Sequence, residues 1–339
     1  MNKKMTQSFK QAGFTLLELL VVITLLAVLA TGALVAYEGI GENANDTAAA
    51  NALKTMEGAL RNYRAVEGEY PEQFDLLANV DGTTTDTSGA MRLLAPETKA
   101  FFGQWAPTTT NANASGSVMR VVANAMKDVG IEELQAVNSN TTWEAGFVPN
   151  LALNESYPLA TNPGSELAFV NDASGALIYD EATISSTNVA LSIVPSAYDN
   201  NGTGTACSAD STDFSNSFDG TFAVADENTR LNLINDALGS ETCTLVIALG
   251  IGKEVPGATA GSRVGIGQVA TVGTNNINPN QHYARAIALF QVAEDGYDGS
   301  TPDGTIQASE VFPKARLVGV VDPEGRTVDE VIAAANAGN

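Results

Sequence analysis

An α+β architecture follows from three features of the 339-residue sequence: one long helical stretch at the N-terminus, short Val/Ile/Leu/Ala-rich runs in the second half, and polar connections between them. The expected fold is a long N-terminal helix, its first half suited to a membrane and its second half amphipathic, packed on a head with a mainly antiparallel β-sheet. A length of 339 residues suggests about two domains, and 44% hydrophobic residues allow a sizeable core. The 39 acidic against 17 basic residues give a formal net charge of −22. That field repels a phosphate backbone, so nucleic acid is excluded as a main partner. One histidine and two cysteines are too few for an all-cysteine, a two-cysteine-two-histidine or a three-histidine zinc site.

The basic residues before position 54 all lie in the first ten: Lys3, Lys4 and Lys10. After them, Phe14 to Tyr37 holds a single carboxylate, Glu18, and Leu19 to Tyr37 is an uncharged, mainly apolar run of 19 residues. At 1.5 Å per residue such a run nearly covers a bilayer core of about 30 Å. Lysines before it and Glu38, Glu42 and Asp46 after it place the N-terminus in the cytoplasm and the rest across the membrane. A secretory signal peptide cut after small residues such as Ala30 and Gly32, or a plain membrane anchor, is the alternative. The run is longer than the roughly 7 to 15 residues of a signal-peptide core, and Glu18 at its start is unfavourable in either. An intramembrane carboxylate needs a partner, and no Lys or Arg lies between residues 11 and 53. Cleavage after Gly13 would supply one, because the new α-amine of Phe14 is then four residues from Glu18.

At this point Gly13-Phe14-Thr15-Leu16-Leu17-Glu18, followed by Leu-Leu-Val-Val-Ile-Thr-Leu-Leu-Ala, resembles the class III signal of type IV pilins and type II secretion pseudopilins. The resemblance implies a prepilin peptidase that cuts after Gly13 and methylates Phe14. It also implies that Glu18 pairs with the terminal amine of an adjacent subunit during assembly. The implied partners are that peptidase, other pilin or pseudopilin subunits and an inner-membrane assembly platform. The implied location is the inner membrane, with the head in the periplasm or on an extracellular filament.

Beyond the apolar run, Ala49, Leu53, Met56, Leu60 and Tyr63 recur at helical spacing with Lys54, Glu57, Arg61 and Arg64 between or beside them, which predicts an amphipathic continuation to about Glu67. Gly39 and Gly41 interrupt it, and they mark where the helix is expected to bend or melt on assembly. Gly68 is a helix stop, and Pro71 is expected to open a short second helix. Residues 59–77 also resemble the helix end and Tyr-Pro turn of the major type II pseudopilin, without the usual threonines after the proline and in a much longer chain. The expected organisation is a leader over 1–13, a transmembrane helix over 14–37, its amphipathic continuation over 38–68, and a head over 69–339. The head is open to division into two lobes near 140–165.

Within the head, 81–89 and 107–117 read as loops, and Met91 to Trp105, interrupted at Pro96, and Val118 to Val129 as partly helical. Strands are expected at Leu167–Val170, Ala176–Tyr179, Val189–Val194, Thr244–Leu249, Arg263–Val272, Tyr283–Val292 and Ala315–Val321. Asn228–Leu238 reads as a helix, and Thr327-Val328-Asp329-Glu330 as a capping box opening the last one. In the oxidising compartment that this topology implies, Cys207 and Cys243 are expected to form a disulfide, with two buried thiols as the alternative.

The best candidate site in the head is the acidic stretch 295–310. Asp303, Ile306 and Glu310 have the spacing of the later positions of a calcium loop, while Asp298 is one residue out of register and Pro302 intrudes. Calcium at Asp298, Asp303 and Glu310 and a solvated turn both fit. No catalytic residues are assigned. His282 is the only histidine base available and reads better as an ordinary surface residue. Gly250-Ile-Gly252-Lys253-Glu254 fails as a phosphate loop, since Ile247 and Glu254 occupy positions that need glycine and a hydroxyl. Gly265-Ile-Gly267-Gln-Val-Ala270 has dinucleotide-type spacing without the following helix. The expected function is that of a pilin-like structural subunit and not of an enzyme, with a minor subunit whose large acidic head binds a surface, secreted substrate or ligand, and an enzyme on a membrane stalk, as the alternatives.

Overall fold

The computed structural model describes residues 15–84, 89–137, 165–171, 177–179, 188–198, 204–221, 229–236, 238, 242–267, 271–274 and 276–337. One helix, α1 (Leu16–Glu67), runs through both the apolar run and its amphipathic continuation, about 78 Å in length. Its ends are set locally. Thr15 caps the first turn, and Gly68, at φ 89°, ends the last one with its N–H donated to the Arg64 carbonyl. The predicted stripe is the buried face: Ala49, Leu53, Leu60 and Tyr63 are buried and Met56 partly so.

The head follows as β1 (Phe74–Asn79), α2 (Pro96–Phe101), β2 (Gly103–Trp105), α3 (Thr109–Ala112), α4 (Val118–Lys127), β3 (Glu133–Val137), β4 (Ser165–Asn171), β5 (Leu177–Tyr179) and β6 (Leu191–Val194). Then come β7 (Ala197–Tyr198), β8 (Thr205–Ala206), β9 (Ser208–Ala209), β10 (Thr212–Asp213), α5 (Thr229–Ile234), β11 (Thr244–Gly250), α6 (Glu254–Ala258), β12 (Ile287–Glu294), β13 (Thr305–Ile306), β14 (Val311–Val321) and α7 (Val328–Ala337). The main sheet has the order β14-β12-β11-β1-β3-β4-β5, with β6 pairing the β11 edge beyond β1, and β2 pairing β6. Every pair in it is antiparallel except β1 with β3. A parallel pair needs a crossover, and here residues 80–132, with α2, α3 and α4, supply it. Strands and core residues from both sides of 140–165 join this one sheet and one hydrophobic cluster. Residues 138–164 themselves lie outside the described residues.

Two expectations are corrected. After Pro71 the chain forms a strand, not a helix. Gln73 takes a left-handed φ of 64°, and all six residues of β1 are buried between β3 and β11. A strand covered on both faces has no alternation to announce it. The strand expected over Arg263–Val272 is absent from its described part. Ile266 N–H donates to the Thr259 hydroxyl and Val264 N–H to that of Ser262, so local turns take up the backbone. Residues 268–270 lie outside the described set. The remaining expected strands are present with shifted ends, β12 starting four residues late and β14 four early.

Within the core, Phe290 of β12 meets Tyr70 and Phe74 edge to face, at centroid distances of 5.2 and 5.7 Å. Helix α4 covers β14 and β12, while α1 lies along α7 and β14. Arg64 ties the top of α1 to this layer, with its guanidinium over the Tyr70 ring and a hydrogen bond to the Ala315 carbonyl.

Candidate functional site

The sequence features that bear on function converge on the start of α1. Every residue from Thr15 to Leu34 is exposed, and Leu16–Leu34 has a mean hydropathy of 2.4 with none of it buried against the head. A surface of contiguous leucine, valine and isoleucine this long is unstable in water, and 19 residues are enough to cross a membrane core. Glu18 sits within its first turn. Its Oε2 accepts both the Thr15 amide N–H and the Thr15 hydroxyl at 2.9 Å, while the Thr15 hydroxyl accepts the Glu18 N–H at 3.2 Å. This is a reciprocal capping box. The helix start itself thus hydrogen-bonds one carboxylate oxygen of Glu18, without supplying a counter-charge. Gly13 and Phe14 lie outside the described residues.

In the head, Cys207 and Cys243 form a disulfide that closes a separation of 36 residues and ties the β8–β9 junction to the start of β11. The acidic stretch between β12 and β14 is organised by its own backbone. Glu310, buried, accepts N–H from Gly296 and Gln307 and O–H from Ser300. Asp298 accepts from Ser300 N–H and Ser309 O–H, and Asp303 from Thr305 N–H. These bonds hold the Asp298 carboxyl below the usual carboxylate range, whereas burial pushes that of Asp295 up. Asp298, Asp303 and Glu310 thus share one loop, but among the described residues no three acidic, histidine or cysteine side chains are grouped as a cation would need. His282 is half-buried in a turn with its N–H donated to the Asn278 carbonyl.

One buried polar site escaped sequence reasoning. Asp75 of β1, 2% exposed, accepts the Tyr283 hydroxyl at 2.6 Å, and its other oxygen is buried without a hydrogen bond. Burial pushes its pKa up to about 8, against the smaller pull of Tyr283 and Arg285 and with a further push from Glu254. Gly250 and Gly252 make the space: a Cβ on Gly250 would overlap the Tyr283 hydroxyl, and one on Gly252 the Asp75 carboxylate. The glycine pair that fails as a phosphate loop therefore has a packing reason. The signal in the sequence was a lone aspartate in the apolar run Phe74–Ala78.

Residues 8–34 match the model of the prokaryotic N-terminal methylation motif. Comparison with curated proteins and with solved structures finds no match to the chain. The matched span contains Gly13, Phe14, the Thr15–Glu18 capping box and all of the exposed apolar run Leu16–Leu34. The chain accordingly carries, over residues 8–34, the prepilin-type N-terminus of type IV pilins and pseudopilins, joined to an α+β head.

Proposed function

We propose that this chain is a structural subunit of a type IV pilus or type II secretion filament, cut after Gly13 by a prepilin peptidase and methylated on Phe14. The observation that carries the reading is an exposed apolar helix that begins inside the methylation motif and continues unbroken into the head. Before assembly the apolar half lies in the inner membrane, N-terminus in the cytoplasm and head in the periplasm. In the filament it packs against the same half of other subunits, delivered by the assembly platform. Glu18 keeps its second oxygen, Oε1, for the α-amine of a neighbour's Phe14, while Thr15 holds the first. Mass spectrometry of the mature N-terminus tests this. The expected terminus is N-methylated Phe14, and a protein still starting at Met1, or trimmed near Gly32, overturns it.

The size of the head favours a second reading, that of a minor subunit which binds a surface, secreted substrate or ligand. The head takes up most of the chain from residue 69 onward. Copy number separates the two: a few copies per filament support the binding role, and a stoichiometric component of the fibre excludes it.

A further inference from the structure

Among the described side chains, the first that the head holds on α1 are those of Asn45 and Asp46. The Asn45 side-chain amide donates to the Gly273 carbonyl at 3.0 Å. Asp46 is 5% exposed, and it is the first buried residue of α1 among the described ones. Its Oδ1 faces Arg326 Nη2 at 3.9 Å, an ion pair without a hydrogen bond. Arg326 also donates from Nε to Asp322 Oδ2 at 2.8 Å and lies 3.1 Å from Glu324 Oε2. Glu324 in turn accepts the Thr274 hydroxyl. One guanidinium from the β14–α7 connection thus serves three carboxylates, one of them from the stalk helix.

The surroundings give this cluster mechanical weight. On the membrane side, Leu16–Leu34 touches nothing in the head, and Gly39 and Gly41 lie between that span and Asn45. Glycine costs about 1 kcal/mol in a helix interior, so this is where the helix is intrinsically weakest. On the head side, the next buried residues are Ala49 and Ala50, which have little apolar area to lose. The first large buried side chain is Leu53, two turns above Asp46.

We propose that the Asp46–Arg326–Asp322–Glu324 cluster, with Asn45 on Gly273, is a clasp that fixes the lowest point at which the stalk helix moves as one body with the head. Bending or unwinding of the stalk is thereby confined to the membrane side of Asn45. Without the clasp the helix frays upward until Leu53 stops it, a peel of roughly 10 Å at the helical rise. Arg326 is the critical group, because removing it leaves the buried Asp46 and Asp322 carboxylates without their cation. The proposal does not depend on what the filament is, or on whether the chain forms one.

Hydrogen exchange of the full chain in detergent micelles, read by mass spectrometry, tests it. In Arg326→Ala and Asp46→Asn, amides 46–52 are expected to exchange at least about tenfold faster, with those of Leu60–Glu67 and β12 unchanged. Arg61→Ala, which breaks only the Arg61–Glu57 pair within α1, leaves 46–52 as in the wild type. If Arg326→Ala fails to fold, the near-isosteric Asp46→Asn decides. Unchanged exchange over 46–52 in Asp46→Asn overturns the clasp. So does equal acceleration in β12, since the cluster would then be general support for the fold.

Discussion

Replacing Asp75 with asparagine keeps its shape and removes its titration, and the pH dependence of stability is where the change registers. In the folded chain the Asp75 carboxyl is buried in the sheet and titrates near 8, against 3.8 for a free aspartate. The folded state therefore holds a proton that the unfolded state has released at any pH between those values. A carboxyl raised in this way contributes stability that is present in acid and lost as pH climbs from about 4 to 8. At about 1.36 kcal/mol per pH unit, the loss between about pH 5 and 7 is of the order of 2 to 3 kcal/mol. Asp322, pushed by burial to about 6, adds a loss of the same sign at the lower end of this range. It is present in wild type and variant alike, so it cancels in their difference. Urea unfolding of the full chain in micelles, followed by tryptophan fluorescence, gives that difference because Trp105 is fully buried. The wild type is expected to weaken with rising pH by about 2 to 3 kcal/mol more than Asp75→Asn. Parallel curves for the two proteins over that range would refute the argument that Asp75 is protonated in the folded head.

Three further outcomes follow from the same geometry. Replacing Cys207 and Cys243 with serine removes a closure of 36 residues, which the chain-entropy model rates at about 4 kcal/mol; an unchanged urea midpoint in the double variant would show that the bridge does not constrain the unfolded chain. Gly252→Ala, whose new methyl would overlap the Asp75 carboxylate, should destabilise the head by about 1 to 3 kcal/mol, whereas Gly265→Ala, with nothing near its Cβ, should stay within about 0.5 kcal/mol; equal melting temperatures would argue against the close approach. Glu18→Ala deletes the capping box and the proposed amine partner, so filaments should be lost while the protein still fractionates with membranes, and normal filaments in the variant would end the assembly role given to Glu18.

The sequence disclosed what is local and concealed what is made by distant chain. Both ends of α1 rest on groups within four residues, Thr15 with Glu18 and Gly68 with Arg64, and the start of α7 on Thr327 with Glu330. Local signals therefore sufficed for α1, α4 and α7, whereas the short α3 lies in the stretch 107–117 read as a loop and α6 was not anticipated. Strands β11, β12 and β14 were legible because apolar runs stand between turn residues. Strand β1 was not, because its burial on both faces depends on β3 and β11, the latter some 170 residues away in sequence. The Asp75–Tyr283 pair spans 208 residues, and the Asp46–Arg326 contact links the helix to the far end of the chain. No spacing rule reaches across such separations. The cysteines were an exception only because a chain with two of them has a single possible pairing.

In the proposed filament, charge favours assembly through the stalk. Three of the 17 basic residues precede Gly13 and none of the 39 acidic ones do, so cutting there takes the formal charge from −22 to −25. The head from residue 69 onward holds 33 of the acidic and 11 of the basic residues, a formal charge of −22, and such heads repel one another at any distance that screening does not cover, about 8 Å at physiological ionic strength. Leu16–Leu34, by contrast, holds a single ionisable group, and that group lies at its first turn beside the proposed amine. Along it, two copies can come into van der Waals contact with a single carboxylate each. A clasp at Asp46 then has a physical purpose in the proposed filament. It keeps the acidic head from loosening the helix that holds the copies together, while the segment below Asn45 remains the place where the angle between the two can adjust.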